Sequence, residues 1–228
     1  MEITKNNLDD LINNQEFSHL DINGIRVYYT KNTLASGSTD GQDFLRIFKE
    51  YKFKPKRLFE WCSGCAFIAF SLLANGYCDS LCLADINKEA VACCLKTIHE
   101  NNLYEKVTLY HSDCFDNIPE TEQWDMVVGN PPHFHEVHDE FRTPDLLYLD
   151  VDWDLHRRFY SQITKYIKPN GLILNTINIE GSNIETFRGF IEKNGFEVIY
   201  YEQAPFSRDI DIIYYIGCVK KGVENPFT

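Results

Sequence analysis

The chain has 228 residues, a length that suits one α/β domain of ordinary size. Hydrophobic residues make up 44% of it, yet no apolar stretch approaches the ~20 residues that a membrane-spanning helix needs. The formal net charge of −12, from 34 acidic and 22 basic side chains, disfavours a broad nucleic-acid-binding surface.

The N-terminal residues predict a cytoplasmic protein without structural disulfides. Residues 1–7 lack the charged and then apolar order of a secretory signal. The eight cysteines are therefore expected in a reducing compartment. Residues 1–52 are expected to form a cap or substrate-side segment. Its predicted elements are a short helix, a hairpin around Asn23-Gly24, a polar loop and a second helix, at Leu8–Asn14, Ile22–Thr30, Thr33–Gly41 and Gly41–Tyr51.

Residues 53–228 alternate short apolar runs with amphipathic segments, a pattern typical of βαβ units. The predicted strands are Arg57–Trp61, Ser80–Asp85, Val107–His111, Trp124–Gly129, Leu172–Asn178, Phe196–Tyr201 and Ile210–Val219. The predicted helices are Phe67–Asn75, Lys88–Asn101, Trp153–Ile167 and Ile184–Asn194. Lys168-Pro169-Asn170-Gly171 is predicted to separate the third of these helices from the fifth strand. No helix joins the last two strands, so the last strand should be antiparallel.

Three polar motifs follow the first three strands of this domain. The turn from Glu60 to Ala66 is built of small residues and leads into a helix, where a backbone can approach a ligand closely. Asp85 closes the second strand, a position at which an acidic side chain commonly holds ribose hydroxyls. Asp113 follows the third strand and is placed to accept from an adenine amino group. Either aspartate alone could equally be a helix cap or a surface turn.

The tetrapeptide Asn130-Pro131-Pro132-His133 follows the fourth strand. Two prolines in succession have fixed φ angles and no N–H, so the turn is stiff. The side-chain oxygen of Asn130 and the Pro131 carbonyl are acceptors suited to hold the hydrogens of an amino group. This arrangement predicts catalysis on a nitrogen, although Asn-Pro and Pro-Pro are also common in ordinary turns.

In this order, the motifs resemble those of the class I S-adenosylmethionine-dependent methyltransferases, in the branch with an (Asn/Asp)-Pro-Pro-aromatic motif that includes the methyltransferase-small group. The resemblance covers Arg57 to about Val219. It implies a Rossmann-like α/β fold, a seven-stranded sheet that is mostly parallel with an antiparallel last strand and helices on both faces. It also implies S-adenosyl-L-methionine as cofactor, across the carboxyl ends of the first three strands.

The resemblance assigns roles to individual residues. The catalytic residues would be Asn130, Pro131, Pro132 and His133. The cofactor-binding residues would be Glu60, Cys62, Gly64, Ala66, Asp85, Ile86, Asp113, Cys114 and Asn130. Phe134 and His135 would form the wall of the acceptor site. No metal is expected.

Two departures from the family pattern concern the same site. The loop Cys62-Ser63-Gly64-Cys65-Ala66 keeps one glycine of the usual Gly-x-Gly-x-Gly, which predicts a slightly displaced methionine end of the cofactor. His133 replaces the aromatic residue of the fourth motif, which favours a small amine or amide over a stacked base. His133 is also predicted to be a possible proton acceptor near neutral pH.

The acceptor is therefore predicted to be a small molecule or a protein side chain, with nucleic acid as a less favoured partner. Methylation of an RNA base remains an alternative, because members of the branch act on RNA. Two further alternatives are a non-methylating displacement on the cofactor itself and a binding module without catalysis.

Several other patterns are given weaker interpretations. Cys62-Ser63-Gly64-Cys65 could be a redox pair or half of a zinc site, and the histidines of 133–138 could bind a metal. Residues 134–153 are expected to form an insertion, either a lid or an acceptor-recognition segment. The basic clusters Lys52–Arg57 and His156–Arg158 are expected to be solvated surface.

Overall fold

The computed structural model describes residues 1–7, 11–12, 15–33, 37–136, 148–205 and 212–228, with the backbone alone for residues 37–41. The strands are β1 (Glu2–Ile3), β2 (Ser18–Ile22), β3 (Ile25–Tyr29), β4 (Arg57–Trp61), β5 (Ser80–Asp85), β6 (Val107–His111), β7 (Trp124–Gly129), β8 (Ile167–Asn178), β9 (Phe196–Gln203) and β10 (Ile213–Lys220). The α-helices are α1 (Gly37–Glu50), α2 (Phe67–Ala74), α3 (Lys88–Glu100), α4 (Asp154–Gln162) and α5 (Ile184–Lys193).

The main sheet has the strand order β1-β6-β5-β4-β7-β8-β10-β9. Strands β4 to β8 pair with one another in parallel. Strand β10 runs antiparallel to both β8 and β9. The predicted fold class and the reversed last strand are therefore confirmed. The strand count differs, because the two-residue strand β1 adds an eighth strand at the β6 edge.

Both faces of this sheet are covered, which is why its central strands are apolar along their length. Helices α1, α2 and α3 contribute to the hydrophobic core on one face, and α4 and α5 contribute to the core on the other. In β7, for example, Met126 and Val128 belong to the first core and Val127 to the second. The alternation of side chains along each strand thus supplies both cores.

The N-terminal segment packs on the first of these faces. Strands β2 and β3 form the predicted hairpin, with positive φ at Asn23 and Gly24, and the hairpin docks on α3, where Thr97 Oγ1 accepts the N–H of Tyr28 at 2.9 Å. Phe44, Ile47 and Phe48 of α1 are fully buried in the same core as α2. The described parts of residues 1–52 thus share a core with the rest of the chain, and the role of this segment beside the substrate remains a prediction.

The predicted boundary at Lys168–Gly171 is wrong, because β8 already begins at Ile167. Helix α4 ends at Gln162 and a 3₁₀ turn at Ile163–Lys165 follows. The Pro-Asn-Gly stretch lies inside the strand and produces an irregular register against β7, instead of preceding the strand. Gly171 is needed there, since an added Cβ would lie 2.4 Å from a side-chain carbon of Ile167.

Some predictions fall partly outside the described residues: the short helix Leu8–Asn14, the loop Thr33–Gly41, the centre of the insertion 134–153 and the start of the strand Ile210–Val219. In the part of the chain that is described, no helix has the length and apolar character needed to cross a membrane.

Candidate active site

The carboxyl ends of four parallel strands meet at one edge of the sheet. Trp61, the last residue of β4, is paired with Ala84 of β5 and with Gly129 of β7. Asp85 of β5 is paired with His111 of β6. The loops that follow these strands therefore begin side by side. The topology brings the predicted cofactor loop, both aspartates and the Asn-Pro-Pro turn to a single edge, where ligands bind in open α/β sheets.

The loop between β4 and α2 has the backbone shape of a glycine-rich loop. The φ angle is +50° at Cys62, +52° at Gly64 and +57° at Ala66. These are the alternate positions at which Gly-x-Gly-x-Gly carries glycines, so two non-glycine residues hold left-handed conformations here. A Cβ added to Gly64 would meet no atom within 4 Å, which leaves space for a ligand in front of the loop. The predicted displacement of the cofactor's methionine end remains a prediction.

Glu60 lies buried beneath this loop and stabilises the start of α2. Its Oε2 accepts the N–H of Ala69 at 2.7 Å, in the first turn of the helix. The N-cap residue Ala66 offers no side-chain cap. A carboxylate at this place satisfies a helix donor and interacts favourably with the helix dipole. Glu60 therefore supports the loop from below, and its direct contact with a cofactor stays a prediction.

Asp85 joins the loop after β4 to the loop after β5. Its Oδ2 accepts the N–H of Gly64 at 2.7 Å and its Oδ1 accepts the N–H of Asn87 at 2.8 Å. Burial raises the pKa of Asp85, and the N–H groups of Asn87 and Gly64 oppose that rise. A carboxylate has about four lone-pair sites, so it can still accept from a hydroxyl group. Beside it, Ile86 exposes 44% of its surface, an apolar area that a flat ring could cover.

Asp113 is held by the guanidinium of Arg158 from α4. Nη1 of Arg158 donates to Oδ1 of Asp113 at 3.0 Å. Nothing in the described parts of the chain donates to Oδ2, so this oxygen is available to an amino group. Cys114 follows with a φ of +46°, and burial raises its pKa to about 12. Burial also raises the pKa of Cys62, so both thiols near the site are protonated at neutral pH.

The contacts of Cys65 belong to the core. Its Sγ lies 3.2 Å from Thr33 Oγ1, and hydrogen bonding with Cys93, followed by burial, raises its pKa. All eight cysteines are free thiols. Among the residues whose positions are described, no cluster of three or more His, Cys, Asp or Glu side chains could hold a metal ion.

Asn130 is fixed by two neighbours at the end of β7. Thr176 Oγ1 of β8 donates to Asn130 Oδ1 at 2.5 Å, and Nε2 of His133 lies 2.9 Å from the same oxygen. An amide oxygen only accepts, so with Oδ1 at this position Nε2 of His133 carries a proton and donates it to the hydrogen bond. Both lone pairs of the oxygen are therefore occupied before any acceptor arrives.

Two glycines allow the close packing around this turn. A Cβ on Gly129 would lie 2.3 Å from the indole of Trp61, whose Nε1 donates to Asn175 Oδ1 at 2.9 Å. A Cβ on Gly181 would lie 2.2 Å from the carbonyl oxygen of His133. The residues after β8 therefore pack directly on the Asn-Pro-Pro-His turn. No larger side chain could replace either glycine without moving the turn or Trp61.

His133 is neutral throughout the physiological range. Burial, and secondly the nearby His156, lower its pKa from 6.5 to about 3. A group with that pKa is a weak base. The role of His133 as a possible proton acceptor near neutral pH stays a prediction, and the contact seen in the structure is its hydrogen bond to Asn130.

His156 and Asp150 form a buried pair behind the site. Nδ1 of His156 lies 2.6 Å from Asp150 Oδ2, and each side chain is at most 3% exposed. Asp150 also accepts the N–H groups of Leu155 and His156, so it caps the start of α4. The His156 ring stacks on Phe187 with 4.3 Å between ring centroids. This pair fixes the start of α4 beside Trp61 of β4, whose ring lies 5.4 Å from that of His156.

The two residues of the predicted acceptor wall, Phe134 and His135, are described, whereas the insertion 134–153 is described only in part. Phe134 pairs with Leu149 through its backbone, accepting the N–H of Asp150 at 2.8 Å. The ring of His135 lies 5.3 Å from that of Trp153. The two ends of the predicted insertion are therefore close together. Residues 137–147, including His138, lie outside the described residues.

Sequence reasoning did not identify four residues that support this site: Thr176, Asp150, His156 and Arg158. His156 and Arg158 lie in the basic cluster His156–Arg158, which was expected to be solvated surface. For these two residues the expectation is wrong, because His156 is buried and Arg158 is ion-paired with Asp113 and Asp116. The expectation also fails for Arg57, which forms a double hydrogen bond with Glu122. The partners of Thr176, Arg158 and Arg57 lie far away in sequence, so no local pattern marked those contacts. Asp150 and His156 are only six positions apart, but no sequence pattern indicated that they pair.

Residues 35–147 match the profile of the family described as the Methyltransferase small domain. Over 122 residues the chain is 32% identical to the ribosomal protein uL3 glutamine methyltransferase of Francisella tularensis subsp. tularensis, a match covering 49% of this chain and 37% of that protein. Over 142 residues it is 25% identical to the ribosomal RNA small subunit methyltransferase C of Haemophilus influenzae, covering 62% of this chain and 42% of that protein. The chain thus spans less than half the length of these two curated relatives.

Among solved structures, the ribosomal protein L11 methylase of Lactobacillus delbrueckii subsp. bulgaricus has a TM-score of 0.58 to this chain. The sequences are 13% identical, and the match covers 79% of this chain and 77% of that one. At this identity the likeness is one of fold.

Proposed function

We propose that this chain, which belongs to the class I S-adenosylmethionine-dependent methyltransferases, transfers a methyl group to a nitrogen atom held at Asn130-Pro131-Pro132-His133. The observation that carries the proposal is the register of β4 beside β7. Trp61 and Gly129 are paired, so the cofactor loop and the Asn-Pro-Pro turn leave the sheet side by side.

The residues at this edge fit the cofactor. The left-handed loop, with open space at Gly64, suits the amino-acid chain of the cofactor. The half-buried carboxylate of Asp85 suits its ribose, and the exposed apolar side chain of Ile86 suits its adenine. S-Adenosylmethionine supplies a methyl group that is already activated by its positive sulfur. The protein therefore has to align a nitrogen with that methyl group and exclude water, more than it has to move protons.

Asn130 would hold the acceptor nitrogen by one of its hydrogens. Because Thr176 and His133 already occupy both lone pairs of its oxygen, one of these donors must give way when the acceptor binds. Thr176 lies inside the sheet and is 1% exposed, whereas His133 belongs to the turn itself. We therefore assign Thr176 as the permanent partner and His133 as the partner that yields.

The acceptor that we favour is the side-chain amide of a protein, with a small molecule as the other candidate of this class. A net charge of −12 opposes binding to a phosphate backbone, and a neutral His133 in place of an aromatic residue suits a small planar amide. The relative in Francisella tularensis is named for glutamine methylation of a ribosomal protein. The relative in Haemophilus influenzae is named for ribosomal RNA, which keeps RNA as the second candidate.

The proposal is tested by incubating the protein with S-adenosylmethionine labelled in the methyl group and a cell extract that is afterwards separated into protein, RNA and small molecules. Label in the protein or small-molecule fraction supports the favoured acceptors, and label in RNA supports the second candidate. Methylthioadenosine without transferred label would indicate displacement on the cofactor itself. Asp85→Ala, which removes the proposed ribose contact, is the negative control.

A further inference from the structure

We propose that Arg158 is a positioning residue for the cofactor, orienting Asp113 so that its carboxylate can bind the adenine amino group. The proposal rests on the cofactor site described under the proposed function. It concerns a residue of α4, a helix that packs in the second hydrophobic core and lies outside the cofactor loops.

Arg158 holds Asp113 at two points. Nη1 donates to the carboxylate Oδ1 at 3.0 Å, and Nη2 approaches the main-chain oxygen of the same residue at 3.4 Å. Nη2 also lies 3.3 Å from both carboxylate oxygens of Asp116. A planar guanidinium that reaches side chain and main chain together fixes rotation about the side chain, which one point of contact would not do.

The rest of the loop has hydrogen bonds that do not involve Arg158. Ser112 Oγ accepts the N–H of Asn117 at 3.0 Å, and Asn117 Nδ2 donates to the His111 carbonyl at 3.1 Å. These bonds fix the backbone but leave the Asp113 side chain, which is 46% exposed, to be oriented by Arg158 alone. Among the described residues, Arg158 is the one side chain bonded to that carboxylate.

The occupied oxygen determines which oxygen faces a ligand. Arg158 binds Oδ1, so Oδ2 is the acceptor that is left for an amino group. The guanidinium also offsets the repulsion among three carboxylates, since Asp116 and Asp154 lie within 4.0 Å of it as well. Without it, Asp113 would turn toward water and its hydrogen bond to adenine would be lost or weakened.

Ligand discrimination distinguishes this role from a purely structural one. The probes are S-adenosylhomocysteine and its analogue without the 6-amino group, with dissociation constants measured by calorimetry. The variants are Arg158→Met, Arg158→Lys and the matched control Arg157→Met. Arg157 is the adjacent exposed arginine of the same helix, and it donates to the carbonyl of Asp152.

Wild type should bind S-adenosylhomocysteine more tightly than the analogue. Arg158→Met should lose about tenfold in affinity for S-adenosylhomocysteine and little for the analogue, because a hydrogen bond to a charged group is at stake. Arg158→Lys, which retains the charge and one contact, should fall between, and Arg157→Met should match wild type. Should Arg158→Met fail to fold, Arg158→Lys decides by the same comparison.

Equal loss for both ligands in the Arg158 variants, or no loss for either, would overturn the proposal while leaving the cofactor site intact. Equal affinity of wild type for the two ligands would also overturn it, because Asp113 would then not bind the amino group. Failure of wild type to bind S-adenosylhomocysteine at all would instead contradict the proposed function.

Discussion

At the scale of single residues, the cofactor loop holds non-glycine residues in conformations that usually need glycine. A left-handed L-residue costs about 1–2 kcal/mol, and here both Cys62 and Ala66 have positive φ. The loop is nevertheless supported, because Glu60 fixes the helix that follows it and Asp85 fixes Gly64. The support by these two carboxylates offsets the missing glycines.

Replacing Ala66 by glycine tests whether the left-handed conformation at this position is strained. Glycine relieves the left-handed strain, which stabilises the folded state by about 1–2 kcal/mol. It also removes a buried methyl group and increases the entropy of the unfolded chain, and these two effects together destabilise by a similar amount. The free energy of unfolding should change by less than about 0.5 kcal/mol. Ala69→Gly, at an equally buried site inside α2, should lower it by about 2 kcal/mol. Urea denaturation measures the free energy of unfolding of both variants. Equal losses would show that Ala66 is not strained.

Thr176→Val is expected to reduce turnover because it removes the donor that orients Asn130 and keeps the volume of the side chain. The rate with an identified acceptor should fall about tenfold, the value of one hydrogen bond, while affinity for S-adenosylhomocysteine stays unchanged. Thr176→Ser retains the hydroxyl and should keep most of the rate. In an Asn130→Ala background, Thr176→Val should have no further effect. An additive loss there would assign Thr176 to general stability.

His133 should make the protein less stable in mild acid. Its pKa is lowered from 6.5 to about 3 in the folded state, so between these values the unfolded chain binds more protons. The stability that it contributes is complete above about pH 6.5 and is lost as the pH falls toward 3. Urea denaturation at several pH values should show a shallower loss for His133→Gln than for wild type. Identical pH profiles would show that His133 is not held neutral.

At the scale of elements, the amino ends of the strands are held by a network at the edge opposite the active site. The guanidinium of Arg57 forms a double hydrogen bond with Glu122, with distances of 2.8 and 2.7 Å. The same carboxylate accepts from Trp124 Nε1 and Tyr110 Oη. The side chain of Glu122 is 10% exposed, so this is a largely buried pair that joins three strands.

Glu122→Ala should therefore destabilise the sheet strongly, by about 3 kcal/mol, because Arg57 would keep its charge without its partner. The control is Glu120→Ala, which removes the exposed pair with Lys165 and should cost less than about 1 kcal/mol. Equilibrium unfolding in urea compares the two. Similar small losses would show that water reaches the Arg57–Glu122 pair freely.

Most elements could be predicted from the sequence because their signals are local. The apolar run of β7 and the amphipathic pattern of α3 each identify one element without its partners. Lys168–Gly171 was misjudged because a Pro-Asn-Gly stretch can also lie in an irregular strand, and its pairing with β7 decides between the two. Arg158 and Thr176 were missed for the same kind of reason, since each contact joins residues 45 or 46 positions apart.

At the scale of the whole molecule, the two edges of the sheet differ in what they carry. Its amino edge carries the Arg57–Glu122 network, and its carboxyl edge carries the loops of the candidate site. The net charge of −12 acts on the molecule as a whole and favours an acceptor without a phosphate backbone. We propose that Asn130 serves transfer to the acceptor rather than binding of the cofactor.

This role is tested by comparing wild type with Asn130→Ala in two measurements. The first is the rate at which S-adenosylhomocysteine forms from S-adenosylmethionine in the presence of the acceptor fraction that the transfer assay identifies. The second is the affinity for S-adenosylhomocysteine, measured by calorimetry. Asn130→Ala should bind nearly as tightly as wild type but form product orders of magnitude more slowly, because the interaction it loses matters in the transition state. Equal product formation, or a collapse of affinity in the variant, would contradict this role of Asn130.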